Sequence, residues 1–128
     1  ACFHGLLLWS WAHGVDLGRP RRAAARETCP DLAVGKFPFS ANGRALASGT
    51  PEGFVKILVD PQYGEILGCH IVGAGASELI NEPAALMAQE ITAHELADQV
   101  HAHPSCSEAI MEAAADALGR CLHLPKTE

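Results

Sequence analysis

The stretch HAHPSCSE, residues 101–108, gathers two histidines, a proline and a glutamate. Pro104 restricts His103 to extended or turn backbone. With a helix starting at Ser105, Glu108 becomes its third residue, and His103 stands just outside the helix N-terminus. The helix dipole favours an ionised carboxylate on that first turn. Such a carboxylate can accept a hydrogen bond from one imidazole nitrogen, set the tautomer and stabilise the imidazolium. The other nitrogen is then left to exchange a proton with a substrate. This is the His–carboxylate half of a general acid/base device. The same residues also carry a plainer reading. Ser105-x-x-Glu108 is a capping box, in which Glu108 simply turns back to the Ser105 amide. Local spacing leaves both readings open.

Other chemistry-bearing residues point less far. His101 and His103 form an i, i+2 pair with no further cysteine or carboxylate ligand at metal-site spacing, so no metal is expected. His70 reads as a sheet residue and His94 as a surface helix residue. Residues 70–80, HIVGAGASELI, imitate a dinucleotide fingerprint, with a strand, then Gly-Ala-Gly, then a helix. The third glycine is replaced by Glu78, which would face a pyrophosphate with like charge. The strand before it also belongs to a hairpin rather than a βαβ unit. Gly73 and Gly75 are therefore expected to serve a strand-to-helix turn.

Bulk properties narrow the class. The chain has 128 residues, 48% hydrophobic and 19% charged, which suits one globular domain with one core. A net charge of −6 argues against nucleic acid, which needs a concentrated cationic face. The one basic cluster, GRPRRAAAR at 18–26, reads as a solvated helix start. LLLW at 6–9 is too short to span a bilayer and has no charged segment before it, so neither a membrane span nor a signal peptide is expected. Five cysteines, at 2, 29, 69, 106 and 121, form no close pair. That pattern suits free thiols in a reducing compartment, the cytoplasm. The absence of an initiator methionine points to a fragment, a truncated gene product or a processed one.

The positioning elements follow. GFVKILVD (53–60) and EILGCHIVG (65–73) are apolar runs joined by the turn residues of DPQYGE, which predicts a β-hairpin covered on both faces. LAVGKFPF (32–39) reads as a strand interrupted by Pro38, with Ser40 capping a helical turn over ANGRALA. Residues 77–91 have helical spacing at Ile80, Ala84, Met87 and Ile91, with Pro83 forcing a kink or a late start. Thr92 and Glu95 are placed for a capping box over residues 92–100. The last helix runs over 105–121 with an apolar stripe of Ile110, Ala113, Ala114, Ala117, Leu118 and Cys121, weakened or ended by Gly119. Pro20 and RRAAARE predict an earlier helix bounded by Pro30. Strands first and helices after give an α+β fold, an antiparallel sheet with helices packed against it. Residues 1–13 are expected as a separate N-terminal arm and 14–128 as a single domain.

Four segments, VGKFPFSANGRA (34–45), GFVKILVD, ILGCHIVGAGASELINE and HAHPSCSEA, occur in an order and spacing that resemble the C-terminal interface (dimerisation) domain of dihydrolipoamide dehydrogenases, members of the pyridine nucleotide-disulfide oxidoreductase family. The resemblance covers about residues 31–124, is faint over 14–30, where arginines replace acids, and is poor over 1–13. It implies that His103 matches the catalytic histidine and Glu108 its carboxylate partner. It also implies a cis His103–Pro104 bond, with the His103 carbonyl approaching the flavin of the other subunit. Ser105 stands where threonine is usual, Cys106 replaces an apolar residue, and Pro83 replaces a helix-compatible one.

In that family a complete site needs two chains of a homodimer. One supplies FAD and a redox-active C-x-x-x-x-C pair, and the other supplies the histidine, which takes a proton from a dihydrolipoamide-type dithiol. Electrons pass to the flavin and on to NAD. This sequence holds neither the C-x-x-x-x-C pair nor a full nucleotide fingerprint, so the chain alone is not expected to run the reaction or to bind a cofactor. The leading expectation is a part of such an oxidoreductase, with a role in cell redox homeostasis. The alternative is a freestanding, non-catalytic dimerisation module. Small residues at 113, 114 and 117 would then let another surface approach closely. A weaker third possibility is a small metal-binding protein using His101 and His103.

Overall fold

The structure is a computed structural model that describes residues 9–11, 14–16 and 31–124. The helix expected after Pro20 lies outside the described residues, as do Leu6, Leu7 and Leu8.

The expected hairpin forms the centre of the sheet. Strands β4 (Phe54–Val59) and β5 (Ile66–Val72) pair antiparallel, with Val55 opposite Ile71 and Ile57 opposite Cys69. The ladder slips between Leu58 and Val59. In the connecting turn the Asp60 carboxylate accepts the Gln62 amide, and Gly64 donates to the Asp60 carbonyl at 2.7 Å. Strand β3 (Ala33–Pro38) adds to the far side of β4. Pro38 does not interrupt this strand but is its last residue, where a missing amide donor costs the ladder little. Short strands β1 (Trp9–Trp11) and β2 (Gly14–Asp16) complete an antiparallel sheet of order β1-β2-β5-β4-β3. The fold is the α+β arrangement expected.

Near-continuous hydrophobicity in β4 reflects burial on both faces. Val55, Ile57 and Val59 face the main core, while Leu58, also fully buried, packs with Leu32, Val34 and Leu67 on the opposite side. Burying each such side chain is worth about 1.5–3 kcal/mol.

After β3 a 3-10 turn at Phe39–Ala41 leads into helix α1 (Gly43–Ala47). Its cap is Asn42, whose side chain accepts from the Ala45 amide; Ser40 is exposed and lies two residues too early. The helix expected over 77–91 is two pieces, α2 (Ala76–Leu79) and α3 (Asn81–Ala88). Pro83 falls in the first turn of α3, where its missing donor is one the helix leaves unpaired anyway. Helix α3 ends earlier than expected. Glu90 takes a positive φ of 56, and Ile91 donates back to the Leu86 carbonyl, closing the helix in the manner usual for glycine. Ile91 therefore lies beyond the helix rather than on its stripe. Gly73 and Gly75, with φ of 144 and 71, make the expected strand-to-helix turn.

Helix α4 (Ala93–Asp98) has the complete Thr92–Glu95 capping box. Its start is tied to the hairpin turn by the Ala93 amide, which donates to the Gly64 carbonyl at 2.8 Å. Helix α5 (Glu108–Ala117) lies across β3 and β4 and ends, as expected, in a turn at Gly119. It begins at Glu108 rather than Ser105. Residues 105–107 instead make tighter bonds, Ala109 N–H to the Cys106 carbonyl and Ile110 N–H to the Ser107 carbonyl.

The small residues of α5 are used within the chain. Gly35 on β3 allows the helix backbone to sit directly on the strand, since a Cβ there would fall 1.9 Å from the Ala113 carbonyl oxygen. Ala113 and Ala114 are fully buried in the chain's own core. The face expected to receive a second copy is therefore covered by the chain's own sheet. Among the described residues no helix is long and apolar enough to cross a membrane.

Candidate acid/base site

The segment between α4 and α5 presents the histidines. The His103–Pro104 bond is cis. The His103 side chain is 81% exposed, and its Nδ1 lies 2.8 Å from Glu108 Oε1. The other carboxylate oxygen, Oε2, accepts the Ser105 amide at 2.8 Å. Glu108 thus meets both the imidazole and the Ser105 amide, one oxygen for each. The capping box is only half made, because the buried Ser105 hydroxyl has no hydrogen-bond partner among the described residues. The Ser105 amide, as the stronger influence, holds the Glu108 carboxyl below its ordinary value. Partial burial opposes it, and the hydrogen bond and charge of His103 add to the lowering. An acceptor-only carboxylate at Nδ1 makes that nitrogen the donor and turns Nε2 outward as the proton acceptor.

His101 is held differently. Its side chain is only 7% exposed, Nε2 meets Glu82 Oε1 at 2.5 Å, and Nδ1 meets the Gln99 carbonyl at 3.1 Å. Glu82 comes from α3, so the pair fastens this segment to a separate helix. The two histidines face unlike surroundings, one enclosed and one open, and do not converge on a common point. Among the described residues no group of three histidine, cysteine or acidic side chains could hold a metal ion. Cys106 packs as a small apolar side chain at the edge of the core. His94 is exposed on α4, and His70 lies in β5.

Two features escaped the sequence reading. Asn42, buried at 4% exposure, donates from Nδ2 to the Ser105 carbonyl at 3.0 Å. A long-range bond from a cap residue leaves no local signal. The second is a cluster around Glu112, which is 3% exposed. Its carboxylate accepts from Cys121 Sγ at 2.9 Å and the Leu122 amide at 3.3 Å, and meets His123 Nδ1 at 2.5 Å. Burial pushes this carboxyl up, but the donors more than offset it and the net displacement is downward. The Cys121 thiol is pushed up to about 11 by burial and by the bond to that carboxylate. A readable signal existed here. Glu112 falls at i+3 from Ala109 and i−1 from Ala113, on the inward side of an alanine-rich helix.

The family described as "Pyridine nucleotide-disulphide oxidoreductase, dimerisation domain" matches residues 18–114. A dihydrolipoyl dehydrogenase from Corynebacterium glutamicum is 49% identical over 92 residues, covering 70% of this chain and 20% of that protein. Dihydrolipoyl dehydrogenase 3 from Pseudomonas aeruginosa is 44% identical over 108 residues, covering 84% of this chain and 22% of its own. The crystal structure of LpdA from Mycobacterium tuberculosis superposes with a TM-score of 0.71 at 33% identity, over 79% of this chain and 22% of that one. The chain thus spans about a fifth of the length of these relatives.

Proposed function

The chain belongs to the pyridine nucleotide-disulphide oxidoreductase dimerisation-domain family, and from that premise we propose that it is the interface domain of a dihydrolipoamide dehydrogenase, with His103 the proton acceptor for a dithiol. One observation carries the reading. The imidazole stands in the open with Nδ1 engaged by Glu108, so Nε2 is directed away from the chain.

The proton balance is simple. A thiol of a dihydrolipoamide-type substrate gives its proton to Nε2, and the resulting thiolate attacks a disulfide brought by a second subunit. The imidazolium formed is stabilised by Glu108, which is ionised at neutral pH. Glu108 touches no substrate; it sets the tautomer of His103 and holds its ring.

The glycine turn of this chain does not fit a nucleotide cofactor. The glycine turn at 73–75 leads into a helix of only four residues with Glu78 in its first turn, and Gly73 abuts the Phe39 ring. Cys106 and Cys121 are free thiols. FAD, NAD and the redox disulfide would come from the other domains of the complete, homodimeric enzyme and would supply the electron acceptor for the dithiol. The exposed His103, flanked by Val100 at 95% exposure, suits an approach by a partner subunit. A cytoplasmic setting fits the free thiols.

The test is His103→Gln in the complete enzyme. Turnover should fall by about 10²–10⁴, the usual worth of a positioned general base, with circular dichroism unchanged. Undiminished turnover would leave only the non-catalytic module.

A further inference from the structure

Ser105 is held entirely through its backbone. Its amide donates to Glu108 Oε2 at 2.8 Å and its carbonyl accepts from Asn42 Nδ2 at 3.0 Å, while its hydroxyl has no partner among the described residues. Asn42 is itself fixed. Its Oδ1 accepts the Ala45 amide at 2.9 Å, and its own amide donates to the Phe39 carbonyl at 3.0 Å. The side-chain amide cannot be turned over. Reversal would set its NH₂ against the Ala45 N–H and its oxygen against the Ser105 carbonyl, two repulsive contacts in place of two bonds. A buried amide with both ends engaged is a rigid connector, and losing one bond leaves a polar group unpaired.

We propose that Asn42 is a positioning residue for the His103–Glu108 pair, fixing the Ser105 backbone so that its N–H holds one oxygen of Glu108 and the other is left for His103. The connection runs from the start of α1, far away in sequence, to the start of α5. It rests on the reading of His103 as a proton acceptor, and adds the residue that keeps its partner oriented. Without the Asn42 bond, residue 105 is free to rotate about a carbonyl that has lost its donor. Glu108 would then share its time between the Ser105 amide, solvent and His103.

The first measurement needs no substitution. Nuclear magnetic resonance of the full chain should show through-hydrogen-bond coupling between Asn42 Nδ2 and the Ser105 carbonyl carbon; its absence overturns the proposal. The second uses Asn42→Ser, which keeps a good cap acceptor for α1 but is too short to reach Ser105. The carboxyl-carbon titration midpoint of Glu108 should rise by about half a pH unit as its strongest donor loosens, with the α1 amide signals retained. An unmoved midpoint overturns the proposal. In the complete enzyme the same substitution should lower kcat about tenfold with KM for the dithiol unchanged, the pattern of a group needed only when the proton moves. A midpoint that moves while kcat stays constant upholds the positioning role of Asn42 and instead removes the proton-transfer reading of His103.

Discussion

Glu108 and Glu112 sit one turn apart on α5, and each meets a histidine through Nδ1. Their settings differ in where the spare capacity lies. Glu108 keeps a 22% exposed side chain and has two partners, the Ser105 amide and an imidazole open to solvent. The side chain of Glu112 is 4% exposed and has three partners, all from residues 121–123 just past the helix. One carboxylate joins the open His103 ring to the Ser105 amide. The other ties the end of the helix back onto itself. The Glu82–His101 pair inverts the first arrangement, with the ring enclosed and both nitrogens occupied. A His–carboxylate pair is therefore not a mark of chemistry by itself. Nor does an open ring decide it, because the His123 side chain on Glu112 is itself 65% exposed; the two pairs differ in the carboxylate, which at Glu112 is buried and also holds residues 121 and 122.

The largest expected effect separates the two pairs directly. His103→Gln should cost about 10²–10⁴ in turnover of the complete enzyme, whereas His123→Gln should leave it within about twofold. Comparable losses at both would break the distinction. Cys121 offers the next test. Burial and the bond to Glu112 push its thiol up to about 11, so alkylation near neutral pH should run about a hundredfold slower than for an ordinary thiol. Glu112→Ala should restore much of that rate, and mass spectrometry of the labelled peptide would read it.

Stability comes third. Glu112→Ala strands the Leu122 amide and the Cys121 thiol and opens a void, an expected loss of about 2–3 kcal/mol in urea unfolding. Glu108→Ala, at a wetter site, should cost about 1 kcal/mol. The smallest effect is in the acid limb. Both carboxyls lie below the ordinary glutamate value of 4.5 in the folded chain. Their contribution is fully present above that value and is lost as pH falls through the lowered one. Glu112→Gln should therefore flatten the stability decline between about pH 5 and 3, and equal slopes for the variant and the parent would contradict the role given to this carboxylate.

Much of this molecule was legible along the chain because its signals are local. Turn residues between two apolar runs specified the β4–β5 hairpin, and Thr92 with Glu95 specified the start of α4. Gly119 marked the end of α5. Misreadings occurred where a distant partner overrode a local preference. Asn42 took the cap assigned to Ser40, and its side chain also reaches the distant Ser105 carbonyl. The start of α5 moved to Glu108, and the alanines that looked like an open face were already spent against Gly35.

The sequence alone determined most of the elements and allowed His103 and Glu108 to meet, since five residues of spacing and a proline limit where those side chains can go. It also determined that Glu108 could serve the Ser105 amide. Only the tertiary structure decided that one carboxylate serves amide and imidazole at once, that His101 is enclosed by Glu82 while His103 is open, and that Asn42 underpins the whole segment. Those outcomes depend on contacts between parts of the chain far apart in order, and nothing in a local run of residues encodes which distant surface will arrive.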